Sequence, residues 1–160
     1  FETYFEKTYC KTASLIANSV QAAGVLSGQS PEKLQSLYHF GRQLGLAFQV
    51  VDDILDFTGS EKQLGKPAAS DLASGYLTAP ALYALEEKPT LAGLIEREFS
   101  GEGDLEIALK LVRESDAIAR SRELAENFSR ESREAIQWLP DSNCRRALME
   151  LPAYVLSRLY

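Results

Sequence analysis

Residues 40–57 read FGRQLGLAFQVVDDILDF, and the reading of this stretch decides the fold. Phe40, Leu44, Ala47, Phe48, Val51 and Leu55 recur at helical spacing along one side, and Leu46, Val50, Ile54 and Phe57 fill much of the remaining flank. A helix apolar over so much of its surface belongs in an interior. Its polar residues fall on one line. A helix turns ~100° per residue, so with Gln49 at zero, Asp52 lies near ~−60°, Asp53 near ~+40° and Asp56 near ~−20°. Three carboxylates share one stripe of a helix that should be buried, with Gly41 and Gly45 just before it.

Unpaired carboxylates are costly to bury, and three together raise one another's pKa unless cations hold them ionised. If Gly59 ends the helix, the stripe also lies in its last turns, where the macrodipole disfavours negative charge. Stability alone does not select Asp there, and a metal is the expected partner. All-oxygen ligands point to Mg²⁺, which keeps several waters and usually shares its coordination sphere with substrate phosphates. Lys62 and Lys66, the only basic residues in 58–75, can bring ammonium groups to the same anion.

Outward from the stripe, the chain reads as further helices. Residues 2–26 carry Tyr9, Ala13, Ile16, Ala17 and Val20 at helical spacing before Gly24 and Gly28. Ser30 and Pro31 start the stripe helix, which runs to about Phe57. Residues 58–75 break periodicity and read as a loop. Thr78 can cap a helix entered through Pro80, after which Leu82, Leu85 and then Pro89, Leu91, Leu94 and Ile95 mark two short helices. Asp104 opens another helix, a longer one spans the Ile118–Leu139 pattern up to Pro140, and a last one covers Asn143–Leu159 with a kink expected at Pro152. No stretch alternates as a strand does, so the fold class is all-α, with helix packed on helix.

At 160 residues the chain is long enough for one domain with a real core. A hydrophobic content of 45% and a charged content of 25% are ordinary for a globular protein. No segment is apolar enough to span a bilayer. The net charge of −6, with no basic stripe interleaved with aromatics, excludes nucleic acid as the expected partner. Cys10 and Cys144 form no close pair, so neither a disulfide framework nor a zinc site is indicated and a reducing setting fits. The chain opens on Phe1 within a helical pattern and shows no targeting segment, and is expected to be part of a longer protein. His39 is assigned no chemistry.

The stretch Gly45-Leu46-Ala47-Phe48-Gln49-Val50-Val51-Asp52-Asp53-Ile54-Leu55-Asp56 resembles the second aspartate-rich motif of trans-type polyprenyl diphosphate synthases. Cys10-Lys11-Thr12-Ala13 is similar to that family's Lys-Thr element, Gly65-Lys66 to its lysine loop, and Asp71-Leu72 with Thr78-Ala79-Pro80 to the helix entry that follows. Residues 118–125 and Tyr154 to Tyr160 resemble the long-chain, solanesyl-type branch, so the likeness covers essentially the whole chain.

The resemblance implies an isoprenoid-synthase-type helical bundle. It also implies condensation of an allylic diphosphate with isopentenyl diphosphate to give a long-chain polyprenyl diphosphate. In that scheme Asp52, Asp53 and Asp56 hold Mg²⁺, Lys11 and Lys66 bind diphosphate, Thr12 and Gln49 face the allylic cation, and Phe48 lies beside isopentenyl diphosphate. A homodimer, a peripheral membrane contact through the apolar product, and a cytoplasmic or plastid setting are implied as well.

The pattern is incomplete. No first aspartate-rich motif followed by an arginine pair is present, since Asp104, Asp116 and Asp141 are isolated and Arg145-Arg146 falls too late. Residues 1–160 therefore read as the C-terminal part of a single synthase domain, expected to be inactive alone. Tyr76 and Ala69 also depart from the residues frequent in the family. The competing expectations are a non-catalytic synthase-like subunit and a helical interaction module.

Overall fold

The structure is a computed structural model describing residues 1–59 and 69–160. Among the described residues every regular element is helical. In order these are α1 (Glu2–Thr8), a π-helical turn (Tyr9–Ala13), α2 (Ser14–Leu26), α3 (Pro31–Thr58), α4 (Ser70–Ala73), α5 (Ala79–Glu87), α6 (Leu91–Glu96), α7 (Asp104–Arg113), α8 (Ala117–Ala135) and α9 (Asn143–Ser157). The all-α expectation holds. The chain divides into two compact units, Glu2–Val51 with Leu124–Tyr160, and Phe1 with Asp52–Glu123.

In the first unit, the helix bearing the decisive stretch is buried as its pattern requires: Phe40, Leu46, Ala47, Val50 and Val51 are sealed from solvent. The glycines explain how close its neighbours come. A methyl on Gly45 would fall 2.5 Å from the Ala13 Cα, and one on Gly41 2.7 Å from the Ala17 Cα, so only hydrogen fits where α3 meets the backbone of the π turn and α2. On the other side α8 is tied to α3 by polar bonds. The Ser132 hydroxyl donates to the Phe40 carbonyl at 3.0 Å, the Trp138 indole N–H donates to the Ser36 hydroxyl at 2.7 Å, and Gln43 donates to Glu131.

The second unit has its own core of Phe57, Ala69, Leu72, Ala81, Ala84, Leu91, Leu94, Ala108, Val112 and Ala117. Arg97 grips Asp104 through two bonds of 2.6 Å, and the Gly101 amide donates to the same carboxylate at 2.9 Å. These donors, Arg97 foremost, hold the Asp104 carboxyl below its usual range against the opposing push of burial.

The structure departs from the sequence pattern in three places. Helix 2–26 is interrupted: the Ser14 amide bonds to the carbonyl of Tyr9, five residues back, making the π turn. Thr78 stands at the N-cap of α5 with extended backbone, but its hydroxyl makes no cap bond and is buried without a partner. The 58–75 loop contains the short helix α4. The last helix stands where expected: α9 includes the buried Pro152, and its start is capped by the Ser142 hydroxyl accepting the Arg145 amide at 3.1 Å.

Candidate functional site

The π turn carries two of the expected residues, Lys11 and Thr12. Single π turns inside α-helices concentrate at functional sites, because the extra residue re-aims the side chains around it. Here the Thr12 hydroxyl donates to the Gln49 amide oxygen at 3.0 Å. The close approach of Gly45 to Ala13 places these partners within reach of each other. Two residues 37 positions apart in sequence are thus brought together as one polar pair, while Lys11 stands exposed beside it.

Phe48 is 36% exposed, so it is not the wholly buried core residue its place in the apolar pattern suggests. The Arg158 guanidinium sits 4.8 Å over its ring, a cation–π contact that the sequence reading missed. No spacing rule links residues on elements so far apart, and the contact exists only because the end of α9 returns to α3.

The acids of α3 lie in the second unit. Asp52 is partly exposed, whereas Asp53 and Asp56 are each only 2% exposed. Val50, Val51, Ile54 and Phe57 are buried along the same turns, so the stripe is an acidic line in an apolar helix, as its sequence implies. Among the described residues, no group of three or more His, Cys, Asp or Glu converges on a point a metal ion could occupy. A metal held here must draw further ligands from water or phosphate, which is how Mg²⁺ is usually bound. By donor chemistry and burial the acids fit such an ion.

Asp56 is held by the start of α4. Its carboxylate accepts the Ser70 hydroxyl at 3.0 Å and the Asp71 amide at 3.1 Å, and its backbone carbonyl accepts the Ala69 amide at 2.7 Å. Lys66, expected to bind diphosphate, lies outside the described residues, as does Lys62.

Residues 1–112 match the family model described as polyprenyl synthetase. A prenyl transferase of Synechocystis sp. is 58% identical over 159 residues, covering 99% of this chain and 49% of that protein. Among solved structures, an apo medium/long-chain length prenyl pyrophosphate synthase of Arabidopsis superposes with a TM-score of 0.89 at 42% identity, covering 100% of this chain and 56% of that one. A polyprenyl synthase of Caulobacter crescentus, complexed with calcium and isoprenyl diphosphate, gives 0.85 at 34% identity, covering 98% of this chain and 49% of that one. The helical fold and the acid-bearing helix define the class, and the chain belongs to the polyprenyl synthetase family. It spans about half the length of the relatives it matches.

Proposed function

We propose that the whole protein condenses an allylic diphosphate with isopentenyl diphosphate to lengthen a polyprenyl chain, and that this chain supplies metal-binding and cation-facing residues to that reaction. The observation that carries the reading is the pair Asp52 and Asp53 on α3, with Asp53 only 2% exposed in an otherwise apolar helix, where an ionised carboxylate is costly unless a cation offsets it. The calcium and isoprenyl diphosphate bound by the Caulobacter relative support it.

In this reading Asp52 and Asp53 hold Mg²⁺, which when bound neutralises the diphosphate and makes it a better leaving group. Lys11 and Lys66 bind the same anion as point charges. Gln49 presents its amide oxygen toward the carbon from which diphosphate departs, and the Thr12 hydroxyl, by donating to that oxygen, fixes its direction. Phe48, held beneath Arg158, offers its ring edge and exposed face to the second substrate. No side-chain nucleophile is needed, because the double bond of isopentenyl diphosphate attacks and the released diphosphate can take the proton.

The homodimer and the peripheral membrane contact belong to the same proposal. Leu15, Ala22 and Leu26 fall within about 40° of one another on α2. Leu15 and Leu26 are 75% and 90% exposed, which is an apolar surface on which a second subunit can pack. No described helix is long and apolar enough to cross a membrane.

Thermal unfolding of this chain tests the reading. Mg²⁺ with pyrophosphate at about one hundred times Kd should stabilise by about 2.7 kcal/mol, a rise on the order of 5–10 °C for a domain of this size. Either ion alone should do far less, and Asp52→Asn should remove the effect. Equal, small responses to Mg²⁺ with and without pyrophosphate would favour an interaction module instead.

A further inference from the structure

Helix α4 begins without a cap of its own. The residue before it is Ala69, whose methyl cannot accept a hydrogen bond, although the first amides of any helix need acceptors. Ala69 is also in the left-handed region, with φ of +54° and ψ of +37°, a conformation that costs a non-glycine residue about 1–2 kcal/mol. Such strain persists only where surrounding contacts over-determine it. The contacts that do so come from Asp56. Its backbone carbonyl takes the Ala69 amide at 2.7 Å, and its carboxylate takes the Ser70 hydroxyl at 3.0 Å and the Asp71 amide at 3.1 Å. Both the Asp56 side chain and Ala69 are essentially sealed from water, so these bonds have no ready substitute in solvent.

We infer that Asp56 is a positioning residue: it acts as the missing N-cap of α4 from the last turn of α3, fixing Asp71 and the chain's return into the core, rather than serving as a direct metal ligand. This rests on the reading in which Asp52 and Asp53 hold the metal, and it divides the three aspartates by task. It also explains why a carboxylate is tolerated at the C-terminal end of α3, where the macrodipole opposes it: two donors from α4 face it. The sequence departure at Ala69 belongs to the same device, because the cap comes from a residue thirteen positions earlier.

Two measurements on the 160-residue chain separate the roles. The first is amide hydrogen exchange at Asp71. Asp56→Asn can keep an acceptor for only one of its two donors, and it should speed exchange by about fivefold or more. Ser70→Ala should speed it in the same direction, Ser70→Thr should restore protection, and the Asp56→Asn/Ser70→Ala double variant should exchange no faster than Asp56→Asn alone. The second is the Mg²⁺ midpoint of stabilisation at saturating pyrophosphate, which Asp56→Asn should change by less than threefold while Asp52→Asn abolishes the response. Unchanged Asp71 exchange in Asp56→Asn, or a Mg²⁺ response lost in Asp56→Asn but kept in Ser70→Ala, would overturn the inference. If the parent chain shows no Mg²⁺–pyrophosphate response, the metal reading fails while the exchange data still decide whether Asp56 is the anchor.

Discussion

Thr12 and Gln49 show how much chemistry a single hydrogen bond can organise. The Thr12 hydroxyl donates to the Gln49 amide oxygen and so makes that amide a directed dipole. Thr12→Val keeps the shape and removes the donor. In the whole enzyme it should lower kcat by roughly 10-fold or more with a smaller change in KM, whereas Thr12→Ser should retain most activity; steady-state kinetics on both variants checks this. Asp104 offers a pH test at the same scale. Its carboxyl is depressed by Arg97 and the Gly101 amide, so the stability it contributes is full above the ordinary carboxylate range and is lost as pH falls through the depressed value. Unfolding temperature followed below about pH 4 should therefore drop less steeply in Asp104→Asn than in the parent chain. The sequence made the aspartate stripe legible because spacing along one helix is a local property. It could not show that Asp56 meets Ser70 and Asp71, or that Arg158 lies over Phe48, because those contacts depend on where a loop and a distant helix return.

Among the elements, α3 was the most legible, since a long apolar pattern between Pro31 and Gly59 leaves little room for another assignment, and the observed span is Pro31–Thr58. The π turn was not. Its residues have ordinary helical periodicity, and the change in register accompanies the packing of Ala13 against Gly45. Gly45→Ala should force that interface apart and cost about 1–3 kcal/mol in urea unfolding. An unchanged midpoint would mean that the two backbones are not held together here. The N-cap of α9 behaved as turn chemistry predicts, and Ser142→Ala should cost about 1 kcal/mol, with Ser142→Asp close to neutral in the same assay. Thr78, which looks equally suited to cap α5, does not do so: its hydroxyl is buried and makes no hydrogen bond.

At the scale of the whole molecule, two compact units share one helix, and the proposed chemistry is written along it. Val51 belongs to one unit and Asp52 to the other. The family, the helical class and the acid-bearing helix were all readable from the sequence, because each rests on periodicity or on a motif within a single element. The engagement of Asp56 with α4 was not, since it depends on which donors reach that carboxylate. The central claim, that the stripe on α3 binds a divalent ion together with diphosphate, is tested most directly by titrating Mg²⁺ calorimetrically into this chain at saturating pyrophosphate, beside Asp52→Asn and Asp53→Asn. The account predicts a saturable binding transition that needs pyrophosphate and disappears in both variants. A transition that survives both substitutions, or none in the parent chain, would contradict it.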